Sequence, residues 1–418
     1  MMEQLGLSEE KDHLHFRRKT GSDLGEVVPL HRKVKHVEIQ VIIDNESDPI
    51  SSTEEGVHMS EWAVHMENYT RESLDFEKLC HAGHGLSLLV TATDEQGRSH
   101  SVIFDTGCSE KLFNHNAECL CLAHVDVEAI VLSHWHGDHS GGLIAAATHV
   151  GKAREEAGKA PTVVDLPPRR PHRRSAPGGV SMATGPAPAT LAALPGVSLD
   201  LREDAHTLCD GVFYVSGEIP RLTKFERGLP RHFSQWEEGG KFEEDPLILE
   251  ERYLYVEVEG AGLVVVTGCA HAGAVNTLRD AARASGCPRV AALAGGLHLA
   301  GKQTEPIIQE TICALEQLDP TLVIPGHCTG WRAKHDLADI FGEQRFLPSR
   351  AGHRYHISAE LCALARTAAE EEGKQQEEVT AASPKSKRMK PCRSNPSTKK
   401  SMSLEDLLEK EVDHVVIK

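Results

Sequence analysis

An α/β fold with a mixed sheet is what the sequence predicts, and three observations predict it. Apolar, β-branched runs of strand length recur from residue 34 to about residue 358. Four such runs end in loops of Gly, His and Asp directly before helical patterns, the sequence form of a strand feeding a crossover. Two further pairs of runs are joined by short polar or Gly-rich turns, the form of a hairpin. Crossovers make parallel neighbours and hairpins make antiparallel ones, so neither a purely parallel nor a purely antiparallel sheet is expected.

The elements follow in order. Residues 1–33 are polar, mixed in charge and weakly patterned, and are read as an extension. "VKHVEIQVIIDN" is a strand closed by Asp44 and Asn45 as a turn, and residues 58–80 carry a helix-like pattern. "GHGLSLLVTATDEQGRSHSVIFDTG" is a hairpin ending at Asp105-Thr106-Gly107, and a short helix is expected around 109–121. The strand "VEAIVLSH" runs into "SHWHGDHSGG", after which "SGGLIAAATHVGKAREEAGK" reads as a helix with Ser140 as its N-cap. Residues 159–196 are crowded with Pro, Gly and Ala and are expected to be an irregular excursion holding one strand at its start. "GVFYVSGEIPR" is a strand, and "ERYLYVEVEGAGLVVVTGCAHAG" a hairpin with a Gly-rich turn. "AVNTLRDAARASG" is a helix, "RVAALAGGLHLAG" a strand entering a glycine loop, "EPIIQETICALEQLD" an amphipathic helix and "PTLVIPGHCTGW" a strand entering a last loop. The domain bounded by these elements spans 34–366, with 367–418 as a tail.

Composition bounds the function. The chain has 418 residues, 40% hydrophobic and 26% charged, the balance of a globular protein with a large core. A formal net charge of -17 speaks against a general nucleic-acid binder, whose phosphate neutralisation needs excess Lys and Arg. Eleven scattered cysteines with no CxxC pair suit reduced thiols better than a disulfide framework. No apolar run approaches the ~20 residues of a membrane span, and the first residues lack an apolar signal core. A cytoplasmic location is therefore expected. In the tail, "KSKRMK" is either a solvated basic linker within a disordered stretch or a nuclear-import patch. "SLEDLLEKEVDHVV" has Ser403 placed to cap a short amphipathic helix.

The chemistry concentrates in "VLSHWHGDHSGG", residues 131–142. Four polar groups buried there without partners would cost about 1–3 kcal/mol each, so either the segment is exposed or a multivalent cation sits among them. His134 and His136, two apart on an extended strand end, face one side. Gly137 lets the chain turn so that Asp138 and His139 can face a second ion. Imidazoles with a carboxylate suit Zn first, with Fe or Mn as the other ions such a set accepts. Ions about 3.5–4 Å apart can activate water and neutralise charge on an attacked phosphoryl or carbonyl oxygen. Four side chains cannot fill two coordination shells, and His271, His298 and His327 each follow an apolar strand among glycines. His271 and His327 are read as ligands, while His298 is either a polar loop residue or a substrate-facing acid/base.

"SHWHGDHSGG" resembles the HxHxDH signature of the metallo-β-lactamase superfamily, and "VIFDTG" is similar to the strand and Asp-turn that precede it there. The resemblance implies an αββα sandwich of two mixed sheets with a binuclear site at one edge. By position, His134 and His136 would hold one ion and Asp138 and His139 the other, with His327 as the last ligand histidine and Asp105 bracing the site from behind the ligands. "IIDN", "HGLSLLV", "SGEIPR", "TGCAHAGAVNTL", "GGLHLAG" and "IPGHCTGW" resemble, in this order, the branch containing the archaeal 7,8-dihydropterin-6-methyl-4-(β-D-ribofuranosyl)aminobenzene 5′-phosphate synthases. One departure stands out: the superfamily's bridging aspartate has Cys269 in its place, with His271 two residues on. Cys269 is read as a buried thiol behind the ligands or, alternatively, as a thiolate ligand. Glu218 in "SGEIPR" is either an active-site carboxylate or a loop partner of Arg221.

Two enzyme classes follow from that resemblance. A hydrolase would use activated water against a phosphoester or related ester, with Asp138 or His298 moving the proton and Glu218 as a further catalytic carboxylate. A transferase would join a dihydropterin-methyl diphosphate to an aminobenzene ribofuranosyl phosphate and release diphosphate. Either substrate is a small phosphorylated molecule, which Arg221, Lys224 and Arg231 could contact unless they form an ordinary basic loop. Phe225, Phe233 and Trp236 are candidates to stack on a flat ring or to pack against the loop's base. A nonenzymatic scaffold would show lost ligands, and every ligand of the opening motif is present.

Overall fold

The computed structural model describes residues 32–53, 56–59, 76–176 and 180–382. Most of the expected extension, residues 60–75 of the helix-like segment, "KSKRMK" and the C-terminal amphipathic pattern lie outside the described residues. An 8-stranded sheet has the order Val57–Met59, His353–Ser358, His36–Ile43, Ser87–Thr93, Ser99–Phe104, Val127–Val131, Thr162–Leu166, Val197–Leu201. Its first four contacts are antiparallel and its last three parallel. A 6-stranded sheet runs His206–Leu208, Phe213–Val215, Leu254–Val258, Gly262–Thr267, Val290–Gly296, Leu322–Gly326. Its last two contacts are parallel.

The two sheets face each other across the main core. Val37, Ile39, Val90, Val102 and Phe104 of the first pack with Phe213, Val256, Val264, Val266 and Ile324 of the second. The outer face of the 8-stranded sheet is covered by the helices Glu110–Cys119 and Leu143–Glu156, through Phe113, Ala146 and Val150. The outer face of the 6-stranded sheet is covered by Ala274–Ser285, Ile308–Leu318 and Trp331–Phe341, through Leu278, Ile312, Leu315 and Leu337. Both sheets are therefore buried on two faces, which is why strands such as Gly262–Thr267 are apolar throughout rather than alternating. This is the αββα layering.

Three expectations are corrected. The excursion at 159–196 is not irregular: it contains the strands Thr162–Leu166, Arg173–Ala176 and Val180–Ala183 and the helix Pro188–Ala192. Two of those strands join Phe233–Gln235 and Phe242–Glu244 in a third, 4-stranded antiparallel sheet that a two-sheet reading leaves out. Ser140 is not the cap of the long helix, which starts at Leu143 with Gly142 at its N-cap. Ser140 ends a separate one-turn helix, Gly137–Ser140, and its Oγ donates to the His136 carbonyl. The chain from 57 begins as a strand, Val57–Met59, and the 58–80 pattern ends in a 3-10 turn at Phe76–Lys78. Among the described residues no helix is long and apolar enough to cross a membrane.

Candidate metal centre

The parallel registers of the two sheets decide what can meet. Phe104 lies opposite Val131, Thr267 opposite Gly295, and Gly296 opposite Gly326. The loops that leave these strands carry Asp105, His134 to His139, Cys269 and His271, His298, and His327, and they converge at one edge of the sandwich. Positive φ at Asp105 (58°), His298 (46°) and His327 (47°) marks sharp exits at three of these ends.

Two groups of donor atoms result. His134 Nε2 and His136 Nδ1 are 2.9 Å apart, and His271 Nε2 is 3.2 Å from the same His136 nitrogen. Ligands on a tetrahedral zinc with bonds of about 2.0–2.1 Å stand roughly 3.3 Å from one another. Three imidazole nitrogens converging at such spacings match one ion. Asp138, His139, Cys269 and His327 form the second group, and Cys269 also belongs with His134 and His271, so its sulfur is common to both. His139 Nε2 is 3.1 Å from Cys269 Sγ, and His327 Nε2 is 3.2 Å from Asp138 Oδ2. That last pair is close but not aligned as a hydrogen bond, and His327 Nε2 is otherwise a buried nitrogen without a partner. A ring nitrogen aimed at a carboxylate without bonding to it is what a shared cation between them would require. The donor set thus fits divalent metal binding.

Buried hydrogen bonds fix the rings from behind. Asp105 is fully buried; its Oδ1 accepts from the Ser133 N–H at 2.7 Å, and its Oδ2 lies 2.6 Å from His139 Nδ1. The Ser133 hydroxyl donates to Asp105 Oδ2 and lies 2.8 Å from His134 Nδ1. Asn45 Oδ1 lies 2.9 Å from His327 Nδ1. Glu251 accepts the backbone N–H groups of His271 and Ala272, each at 2.7 Å. The contacts of Asp105, Ser133 and Asn45 to ring nitrogens select the tautomer that leaves the other nitrogen free for a metal, while Glu251 fixes the backbone that carries His271.

Electrostatics follow from this burial. Burial, then the neighbouring cationic and imidazole groups, push His134, His136 and His271 well below the ordinary histidine value, so they are neutral and able to ligate at pH 7. His139 is opposite: burial opposes its charge, but Asp105 and Asp138 outweigh it and raise it to about 9. Burial likewise works against Asp138, yet His139, His327 and His84 hold its carboxyl below the usual range.

Not every expected residue joins the cluster. His298 does come near, with its ring 4.3 Å from that of His271, and it groups with Cys269 and Cys328. Glu218 is half-buried beside Arg221 and belongs to none of the donor groups among the described residues. Arg221 donates to the carbonyls of Leu247 and Ile219, which ties down its own loop. Lys224 and Arg231 are exposed, and Phe225 packs against the outer apolar core. Trp236 is covered by Arg169, whose guanidinium carbon is 3.9 Å from the ring centroid.

Other residues enter that the sequence reading passed over. His232 is buried with Nε2 3.0 Å from His136 Nε2, and its Nδ1 is 2.7 Å from the Asp245 carbonyl. Cys328 directly follows His327, and its sulfur is 3.3 Å from that of Cys269. His84 is exposed at the mouth, 3.5 Å from Asp138 Oδ2. Cys328 could have been found from its place in "GHCTG"; nothing local marks His232, whose position depends on the third sheet. That sheet's hairpin also abuts the motif, since a Cβ on Gly137 would lie 2.8 Å from the Ala183 carbonyl and one on Gly185 would lie 2.6 Å from Ser140. A surface groove lined by Lys302, Glu305, Trp331, Arg332 and His335 is separate from the donor cluster.

No protein-family model matches the chain. Over 278 residues, covering 62% of this chain and 85% of the relative, it is 28% identical to the 7,8-dihydropterin-6-methyl-4-(beta-D-ribofuranosyl)-aminobenzene-5′-phosphate synthase of Methanocaldococcus jannaschii. A solved structure described as a metal-dependent hydrolase of the beta-lactamase superfamily is similar over 77% of this chain and 100% of its own, with TM-score 0.53 and 24% identity.

Proposed function

We propose, from the premise that this chain has a metallo-β-lactamase-like fold, that it is a metal-dependent hydrolase of a small phosphoester or related ester. Two divalent ions are held, Zn foremost, with Fe or Mn as the other ions the donors accept. One observation carries the reading: the Cys269 sulfur is common to two converging groups of donor atoms. His134, His136 and His271 would hold one ion, and Asp138, His139 and His327 the other, with Cys269 between them. Bound ions of this kind supply Lewis acidity toward a phosphoryl or acyl oxygen.

The remaining work falls to the chain itself. Asp105, Ser133 and Asn45 orient the ligand rings through the hydrogen bonds described above, and Glu251 holds the backbone of the His271 loop. Asp138 is the donor with a solvent edge, its side chain 24% exposed, so it stands where a nucleophile's proton can be taken. His298, beside His271, is the second group placed to move a proton. A cytoplasmic setting, with import to the nucleus through "KSKRMK" as its variant, belongs to the same proposal.

A second reading is favoured by a specific likeness, the 28% identity to the archaeal synthase. In it the same cluster faces the departing diphosphate of a dihydropterin-methyl diphosphate while an aminobenzene ribofuranosyl phosphate attacks. Elemental analysis of the purified protein, beside an assay of bis-p-nitrophenyl phosphate hydrolysis, tests the first reading. About two ions per chain with turnover is the expected result, and Asp138→Ala should abolish turnover and lower metal content. Two ions without turnover, and diphosphate release from the pterin pair, would replace it by the transferase. A metal-free protein would end both.

A further inference from the structure

Cys269 has a second relationship that ligation does not use. Its sulfur lies 3.3 Å from the sulfur of Cys328, and both thiols are free. The two residues lie on loops that follow different strands, Gly262–Thr267 and Leu322–Gly326, which flank Val290–Gly296 in the 6-stranded sheet. The pairing is thus imposed by the sheet and not by sequence proximity. His298, on the loop after the strand between them, brings a ring nitrogen within 4.8 Å of both sulfurs. A disulfide closes two sulfurs to about 2.05 Å, so the loops would have to approach by roughly 1.2 Å. Glycine at 296 is what lets the two loops come this close. Gly296 lies between the two cysteines, where a Cβ would sit 2.7 Å from Cys328 Sγ, and Gly268 directly precedes Cys269.

We propose that Cys269 and Cys328 form a reversible redox pair whose oxidation by a hydroperoxide to a disulfide removes the shared sulfur from the metal centre. This rests on the binuclear reading given above. Cys328 is the more accessible of the two, 8% exposed against 2% for Cys269, and is the sulfur that reacts first. Its thiolate attacks one peroxide oxygen, the O–O bond breaks, and a sulfenic acid and hydroxide result. The Cys269 thiolate, until then the shared donor, attacks the sulfenic sulfur, the S–O bond breaks, and hydroxide leaves. Two thiolates lose two electrons in total, and hydrogen peroxide takes them to give two hydroxides, which solvent protonates to water. The disulfide sulfur of Cys269 is no longer an anionic donor, so both donor groups lose a ligand at once. A thiol reductant restores it.

The full-length, metal-loaded protein is treated with stoichiometric hydrogen peroxide, and released metal is read with a chromophoric chelator while peptides are mapped by mass. The expected result is a Cys269–Cys328 linked peptide, lighter than its two thiol parts by about 2 Da, together with loss of at least half the bound metal. Dithiothreitol and added Zn should reverse both. Exposed Cys108 and Cys121 will also oxidise, which is why the linked peptide and not the thiol count is the deciding signal. Cys328→Ser should load metal as the parent does but retain it under peroxide. Sulfinic or sulfonic acid at Cys269 or Cys328 without the linked peptide would overturn the proposal, as would a linked peptide in protein that keeps its metal. Both measurements on the parent protein decide this even where the variant fails to fold. Absence of metal before any peroxide is added would instead overturn the binuclear reading, with the linked peptide still deciding whether the pair forms.

Discussion

Asp105 shows how much one residue contributes to the centre. Three donors meet its carboxylate inside a fully buried pocket: the Ser133 N–H, the Ser133 hydroxyl and the His139 ring. Asp105→Asn keeps the size but replaces one acceptor oxygen with an NH2 that faces donors. The His139 ring then loses the partner that fixes its tautomer. Metal affinity should fall about 10–100-fold, measured by chelator competition, with thermal stability lowered less than for a ligand substitution. Cys269→Ser tests the shared donor more directly. A hydroxyl is a poor ligand beside a thiolate, so the variant should lose both ions in parallel rather than one. Retention of one ion at full affinity would assign the sulfur to a single group. At this scale the sequence made His134, His136, Asp138 and His139 plain through density alone. It could not rank Cys269, because a thiol after a strand looks the same whether it ligates or packs.

Among the elements, the one-turn helix Gly137–Ser140 and the long helix after it must meet the Asp-turn without a side chain intervening. A Cβ on Gly142 would lie 2.2 Å from the Thr106 carbonyl, and Thr106 Oγ1 donates to the His139 carbonyl. Gly142→Ala should therefore cost about 1–3 kcal/mol, read by denaturant melts, and weaken metal binding as well. Gly158 supplies the control. It ends the same helical region at φ 65° with open space around it, so Gly158→Ala should cost about 1–2 kcal/mol of backbone strain and leave metal binding intact. Equal metal affinities in the two variants would break the link between helix docking and ligand placement. Most long strands and helices could be read from the periodicity of the sequence. The third sheet could not: it pairs Arg173–Ala176 with Phe233–Gln235, distant in sequence, in strands of three and four residues. Strands that short carry no usable alternation, and the Pro and Gly around them suggested a coil.

At the scale of the molecule, the two main sheets are joined by a buried polar cluster as well as by their apolar faces. Asp165, on the 8-stranded sheet, is paired with Arg252 and with His206, which precede or begin strands of the other sheet. Burial opposes ionisation of Asp165, but Arg252 and His206 outweigh it and hold its carboxyl below the ordinary 3.8. A depressed carboxyl stabilises the fold at pH values above its unfolded pKa, and that contribution is lost as pH falls through the folded one. Melts below about pH 4 should show a steeper loss for the parent than for Asp165→Asn. Arg252→Ala leaves the buried Asp165 carboxylate with His206 as its remaining partner and should cost about 3 kcal/mol at neutral pH. The centre lies at the edge where both sheets end, so ligand binding should also stabilise the whole: chelation of the metal is expected to remove about 2–3 kcal/mol at 100-fold Kd, visible as a lower Tm. An unchanged Tm after complete metal removal would show that the edge is preformed.

What the sequence determined by itself is the class and the address of the chemistry. Apolar runs buried on both faces force strands into layers covered by helices, and a histidine-rich turn at a strand end has few other physical explanations. Which donor side chains come together was decided by tertiary structure alone. Registers such as Thr267 opposite Gly295 and Gly296 opposite Gly326 set the loops side by side, bringing Cys269 to Cys328 and His271 to His298. The third sheet brings His232 to His136 in the same way. Those distances are fixed by hydrogen-bond ladders between segments remote in the chain, and no local pattern of residues encodes them.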